Sequence, residues 1–223
     1  LLEFFREGRS VGGSFDAGIQ LALERLVVDP EFLLRVYREP VGVEPGDVYN
    51  LNDLEVASRL SFFLGSSIPD DPLLELAEAG LLTDPAILEE QVLSMLADPR
   101  TIDALVKGFA AQWLNLRLLP EKLADPLKYP DFDDSLLEAF QQETEMFVAS
   151  NLREDRPIPE LLSADYTYVN ERLARFYGIT GVYGSRPRRV TLPNPDQRGG
   201  LLAHGGLMAI TAYPDRTSPV LRG

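Results

Sequence analysis

The chain has no cysteine, and that absence removes more chemistry than any other single feature. Without thiols, these 223 residues can hold no disulfide, Cys-ligated zinc, iron–sulfur cluster or covalently attached c-type haem. The compartment stays open, because a thiol-free chain suits a reducing cytosol and an oxidising exterior alike. Histidine is nearly as scarce. His204 is the only one, so HExxH motifs and two-histidine metal sites are excluded, and imidazole acid–base chemistry must use His204 or nothing. No apolar run reaches the roughly 18–20 residues of a bilayer-spanning helix. An initiator Met, a basic n-region and an apolar h-region are also missing. Both ends, Leu1-Leu2-Glu3-Phe4-Phe5 and Leu221-Arg222-Gly223, read as cuts through a longer polypeptide.

Positive charge is in short supply as well. Lys and Arg number 21 against 35 Asp and Glu, a formal net charge of −14, which argues against nucleic acid or an anionic membrane as partner. The deficit is uneven. From Tyr183 onward six Arg (186, 188, 189, 198, 216, 222) face only Asp196 and Asp215, a net of +4, so the preceding part carries −18. Two readings follow: the basic end docks on the acidic body, or its arginines form an anion or carboxylate site.

What is present is ordinary for a folded protein: 45% hydrophobic and 25% charged residues, enough for one large domain or two small ones. Asp-Pro recurs at 29–30, 71–72, 84–85, 98–99 and 125–126. Asp caps the orphan N–H groups of a first helical turn, and Pro suits the first helical position, where a missing N–H costs nothing. Apolar residues at helical spacing follow the first four: Phe32, Leu33, Val36, Tyr37; Leu73, Leu74, Ala77; Ile87, Leu88, Val92, Met95, Leu96; and Ile102, Leu105, Val106, Phe109, Trp113, Leu114. The fifth marks a loop. Ser14 caps a helix to about Val28, with Phe15, Ile19, Ala22, Leu23 and Leu26 on one face. Asn52 with Glu55 makes a capping box for 53–64, and Asp133 or Asp134 starts the longest helix, to about Asn151. Asn170 caps Glu171 to Tyr177, and Gly178 stops it. Beyond Gly178 the texture turns Gly-, Pro- and Arg-rich. Residues 188–192 read as a short strand, and 199–212 as either a packed helix or a strand pair.

The expected fold is mainly α: an irregular multi-helix array with a small Gly/Pro/Arg-rich C-terminal appendix containing a short strand. Three segments are expected: 1–45, an N-terminal helical segment ending a preceding domain; 46–178, a central helical domain; and 179–223, the start of a basic C-terminal domain, truncated.

Catalytic motifs are thin. Gly8-Arg9-Ser10-Val11-Gly12 matches G-x-S-x-G, but a nucleophile elbow needs a strand running into the turn, and Phe4-Phe5-Arg6-Glu7 reads as a helix end. A helix–helix linker explains the glycines. Gly200 and Gly205 have phosphate-loop spacing, yet Gly206 and Leu207 stand where Lys and Ser/Thr are required. Carboxylates are so common that Glu143 with Glu145 is no acid–base pair on sequence grounds, and Asp131-Phe132-Asp133-Asp134 reads as a solvated helix start. His204, among small and apolar neighbours, reads first as a satisfied structural residue. Tyr166, Tyr168, Phe176, Tyr177 and Tyr183 read first as core packing, with sugar stacking as the alternative.

Three stretches taken together carry a resemblance: Gly13–Leu33; Ala57–Leu64 with Ile68-Pro69-Asp70-Asp71; and Ala164–Ala174, continued by Tyr177-Gly178-Ile179, Arg198–Leu202 and Arg216–Gly223. The chain resembles a bacterial family of exported proteins of unknown function (the 1592/1588 types) found alongside planctomycete-type cytochrome c domains. Gly65 departs from it, standing where the family's helix end has a bulky aromatic. The resemblance implies an exported, periplasmic or cell-surface parent. It also implies a haem-bearing domain elsewhere in that parent; no cofactor is expected in this segment. It places Arg216, Ser218 and Arg222 inside a family motif. The leading expectation is a non-catalytic assembly module whose partners are other domains of the same polypeptide. The rival is an enzyme or a glycan- or carboxylate-binding module, with a site between the helical body and the arginine-rich end. It would draw on Arg216, Ser218, Arg222, His204 and Tyr177.

Overall fold

Caps set the element boundaries. The computed structural model describes residues 1–34, 40–44, 46–194 and 198–222. Ser14 accepts the Ala17 N–H and starts α2 (Phe15–Val27), which pairs with α1 (Leu2–Gly12) across Gly13 in the left-handed conformation. Gly8 and Gly12 are therefore helical packing positions and not a linker. A Cβ at Gly8 would lie 2.5 Å from the Ala17 carbonyl oxygen, and one at Gly12 would lie 2.3 Å from the Ala17 Cβ. With no strand leading into Gly8, the elbow motif has no structural basis. Asp29 caps the short α3 (Pro30–Leu33); Val36 and Tyr37, expected to continue it, lie outside the described residues.

The Asn52/Glu55 capping box is present in both directions. The Glu55 N–H donates to Asn52 at 2.9 Å, and the Asn52 N–H donates to Glu55 at 3.0 Å, opening α4 (Asp53–Gly65). The next cap lies one residue earlier than the Asp-Pro pattern puts it: Asp70, not Asp71, accepts the Leu73 N–H and starts α5 (Asp71–Glu78). Asp84 and Asp98 cap α6 (Pro85–Ala97) and α7 (Pro99–Ala104) as expected. The helix after Asp98 does not run unbroken to Leu114. A π-helical turn over Leu105–Ala110 separates α7 from α8 (Ala111–Trp113), and Asn115, at φ 56°, ends the run before a 3₁₀ turn at Leu116–Glu121.

Asp133 caps α9 (Asp134–Arg153), the longest described helix. Its buried Leu136, Phe140 and Phe147 fall on one stripe and serve two clusters. Phe140 packs with Leu116, Leu119, Val169 and Leu173. Phe147 packs with Ile102, Val106, Tyr166 and Leu201. Each such ring contributes about 1.5–3 kcal/mol by burial. A third cluster, Ala57, Leu73, Ala77 and Leu82, joins α4 to α5. After α10 (Glu160–Ser163), β1 (Tyr166–Val169) pairs antiparallel with β2 (Arg188–Thr191), placing Tyr166 opposite Thr191. α11 (Glu171–Tyr177) lies between them in sequence, capped by Asn170 and stopped by left-handed Gly178. Residues 199–212 resolve as helix: a 3₁₀ turn at Leu201–Ala203, then α12 (Gly205–Ile210). α13 (Pro219–Arg222) follows. The fold is mainly α, with one small two-stranded sheet among the described residues. The chain divides into two compact units, Leu1–Glu55 and Val56–Gly223. No helix among the described residues is long and apolar enough to cross a membrane.

Candidate ligand-binding cleft

The second unit holds a cleft of about 320 Å³ between the 3₁₀–α9 region, α11 and the segment 205–222. α11 ends on Tyr177, and its two caps fix where that ring points. The Tyr177 hydroxyl donates to Glu143 Oε2 at 2.6 Å and accepts the Gly205 N–H at 2.7 Å. Glu143 is 1% exposed on the α9 stripe, and its other oxygen accepts the Thr167 hydroxyl at 2.6 Å. One carboxyl thus joins α9, β1 and α11, and through Tyr177 the first residue of α12. Burial pushes Glu143 up to about 7, against the pull of the Thr167 and Tyr177 hydrogen bonds and of the Arg198 charge. Burial, then the Glu143 charge, raises Tyr177 well above the ordinary phenol value.

Arg198 stacks over the Tyr177 ring at 3.9 Å and donates to the Ala203 carbonyl at 3.1 Å. Gly205 has no space for a side chain: a Cβ there would lie 2.0 Å from the Phe140 ring. A close turn brings Ala212 to Thr217, with Arg216 over the Tyr213 ring at 4.9 Å. Six aromatic side chains wall the cleft: Tyr129, Phe132, Phe140, Phe176, Tyr177 and Tyr213. Lys122, Arg198, Arg216 and Arg222 supply positive charge, and among the described residues no Asp or Glu lines it. None of the four cations makes an ion pair with a described carboxylate, whereas Arg189, from the same basic end, pairs with Glu154 at 3.2 Å.

Of the five residues singled out from sequence, the cleft gathers three: Tyr177, Arg216 and Arg222. Ser218 is buried and accepts the Leu221 N–H at 3.3 Å, which makes it the cap of α13. His204 sits behind the wall, 3% exposed, edge-on to Phe147 at 4.8 Å, with Nδ1 3.1 Å from the Thr144 hydroxyl. The Thr144 hydroxyl also lies within hydrogen-bond distance of the Phe140 carbonyl, at 3.3 Å, and His204 Nε2 is buried without a described partner. Burial, with Arg198 adding to it, lowers His204 to about 3 and keeps the ring neutral. Among the described residues no group of three or more His, Asp or Glu could hold a metal ion. Sequence reasoning missed Glu143 and Arg198. The signal for Glu143 was its place on the Leu136/Phe140/Phe147 stripe, where a carboxylate interrupts an apolar face.

A family model described as PSD4, protein of unknown function (DUF1592), matches residues 51–179. That span includes Glu143, Thr167 and Tyr177 and stops short of Arg198, His204, Arg216 and Arg222. No curated protein and no solved structure matches the chain.

Proposed function

The chain belongs to the PSD4 family of proteins of unknown function (DUF1592), and from that premise we propose that it is a binding module for a small organic anion with a flat apolar body. One observation carries the reading: six aromatic walls and four cations share a cleft with no described carboxylate in its lining, in a chain of net charge −14. Rings take the apolar body of a ligand, and guanidinium forks take a carboxylate through paired charge-assisted hydrogen bonds. The volume is at the lower end of clefts that hold small molecules, about 300–1,000 Å³. Calorimetric titration with benzoate, benzamide and a neutral oligosaccharide tests this. Benzoate binds, benzamide and the sugar do not, and Arg216→Ala weakens benzoate about tenfold or more, the size of a lost charge-assisted hydrogen bond. Equal binding of benzamide, or binding of the sugar alone, rules out an anion site.

A second reading, assembly with other domains of the same polypeptide, attaches to the first unit. There Phe15, Ile19, Leu23 and Val27 stand exposed at four-residue spacing along α2. Export of the parent, and work beside a cytochrome c domain that carries the haem, complete the proposal. Their support is the resemblance of Ala164–Ala174 and Arg216–Gly223 to exported proteins of that kind.

A further inference from the structure

We infer that filling the cleft with an organic anion is coupled to the uptake of one proton, held on the buried Glu143 carboxyl. The inference rests on the anion-binding reading and gives that site a regulation. Tyr177 and Gly205 belong to the cleft wall, and Glu143 is directly behind them, one hydrogen bond away. Arg198 serves both sides: it lines the cleft, covers the Tyr177 ring, and is the charged group that favours an ionised Glu143. A carboxylate arriving at Arg198 neutralises that help and adds a like charge across one aromatic ring. A second carboxylate close to the already poorly solvated Glu143 raises the cost of keeping Glu143 ionised, so Glu143 takes a proton from solvent.

The groups around Glu143 leave that proton no other seat. β1 offers Thr167, a hydroxyl without charge. α11 offers Tyr177, whose phenol is held well above its ordinary value. The turn before α12 offers His204, kept neutral and turned to Thr144. Before the ligand arrives, Glu143 is poised near 7, so a modest change of field is enough. Once protonated, Glu143 becomes a donor to the Tyr177 oxygen.

The test is calorimetry of benzoate binding to the full chain at pH 7.5 in two buffers with different ionisation heats, whose difference counts protons. The expected result is net uptake of up to about three quarters of a proton, because a carboxyl poised near 7 is already partly protonated at that pH. Affinity is flat below about pH 6.5 and falls by up to tenfold per unit above 7, the limit for one linked proton. Glu143→Gln, a stand-in for the protonated acid, abolishes the uptake and binds benzoate more tightly than the native chain at pH 8. In the native chain itself, a protonated-carboxyl infrared band appears when isotopically labelled benzoate is added, so the outcome does not depend on the variant folding. Benzoate binding with no proton taken up overturns this inference and leaves the anion site standing. Uptake that persists in Glu143→Gln also overturns it. A chain that binds no benzoate at any pH loses both readings together.

Discussion

At the scale of single residues, two buried groups behind the cleft's inner wall have proton linkages that oppose each other. Glu143 is raised from 4.5 to about 7 on folding, so between those values the native chain binds the extra proton and stability falls as pH rises. His204 is lowered from 6.5 to about 3, so between those values the unfolded chain binds the extra proton and stability rises with pH. Between about 4.5 and 6.5 the two slopes cancel, and this pair contributes a plateau. Glu143→Gln removes one slope, and denaturant midpoints should then climb steadily with pH across that window; a variant still flat there would contradict the assignment. Glu143 was half legible in the sequence, as a carboxylate on an apolar helical stripe, but the number of acidic residues hid it. Its partners Thr167 and Tyr177, and the more distant Arg198, stand 24, 34 and 55 positions away, and no local pattern connects them.

At the scale of elements, the α1–α2 pair depends on glycine in a way that can be tested. Gly8→Ala sets a methyl 2.5 Å from the Ala17 carbonyl oxygen, and that oxygen belongs to helical backbone that cannot yield cheaply. The expected cost is about 1–3 kcal/mol, as for other overpacked contacts. It should show as faster amide exchange in α1 and α2, with α9 unchanged. Helix starts were the most legible feature of the chain, because a cap is a local hydrogen bond between neighbours in sequence: Ser14, Asn52, Asp84, Asp98, Asp133 and Asn170 all act as read. Asp70 escaped because Asp71-Pro72 looked like the better pair, whereas Asp71 and Pro72 both fit inside the first turn. β1 was passed over because four residues, Tyr166–Val169, gain their strand character only from β2. The contact of α2 with α1 runs through Ala17, Gly18, Leu21 and the edge-on Phe5–Phe15 ring pair, and Phe15 and Leu23 still remain exposed.

At the scale of the molecule, the boundary near residue 55 separates the α1–α2 unit from everything that builds the cleft. A fragment of residues 51–223, which keeps the α4 capping box, should fold alone and bind benzoate with the affinity of the full chain. A fragment that is unfolded, or folded but unable to bind, would show that the first unit completes the second. The cleft also has an order of manufacture. One wall, with Tyr129 and Phe132, is translated long before the turn that carries Tyr213 and Arg216. At about 5–20 residues per second, several seconds pass on the ribosome before the second wall exists. For that interval Tyr129 and Phe132 lack the Tyr213 wall to close against, so during synthesis their apolar surface is open to chaperones and to other nascent chains.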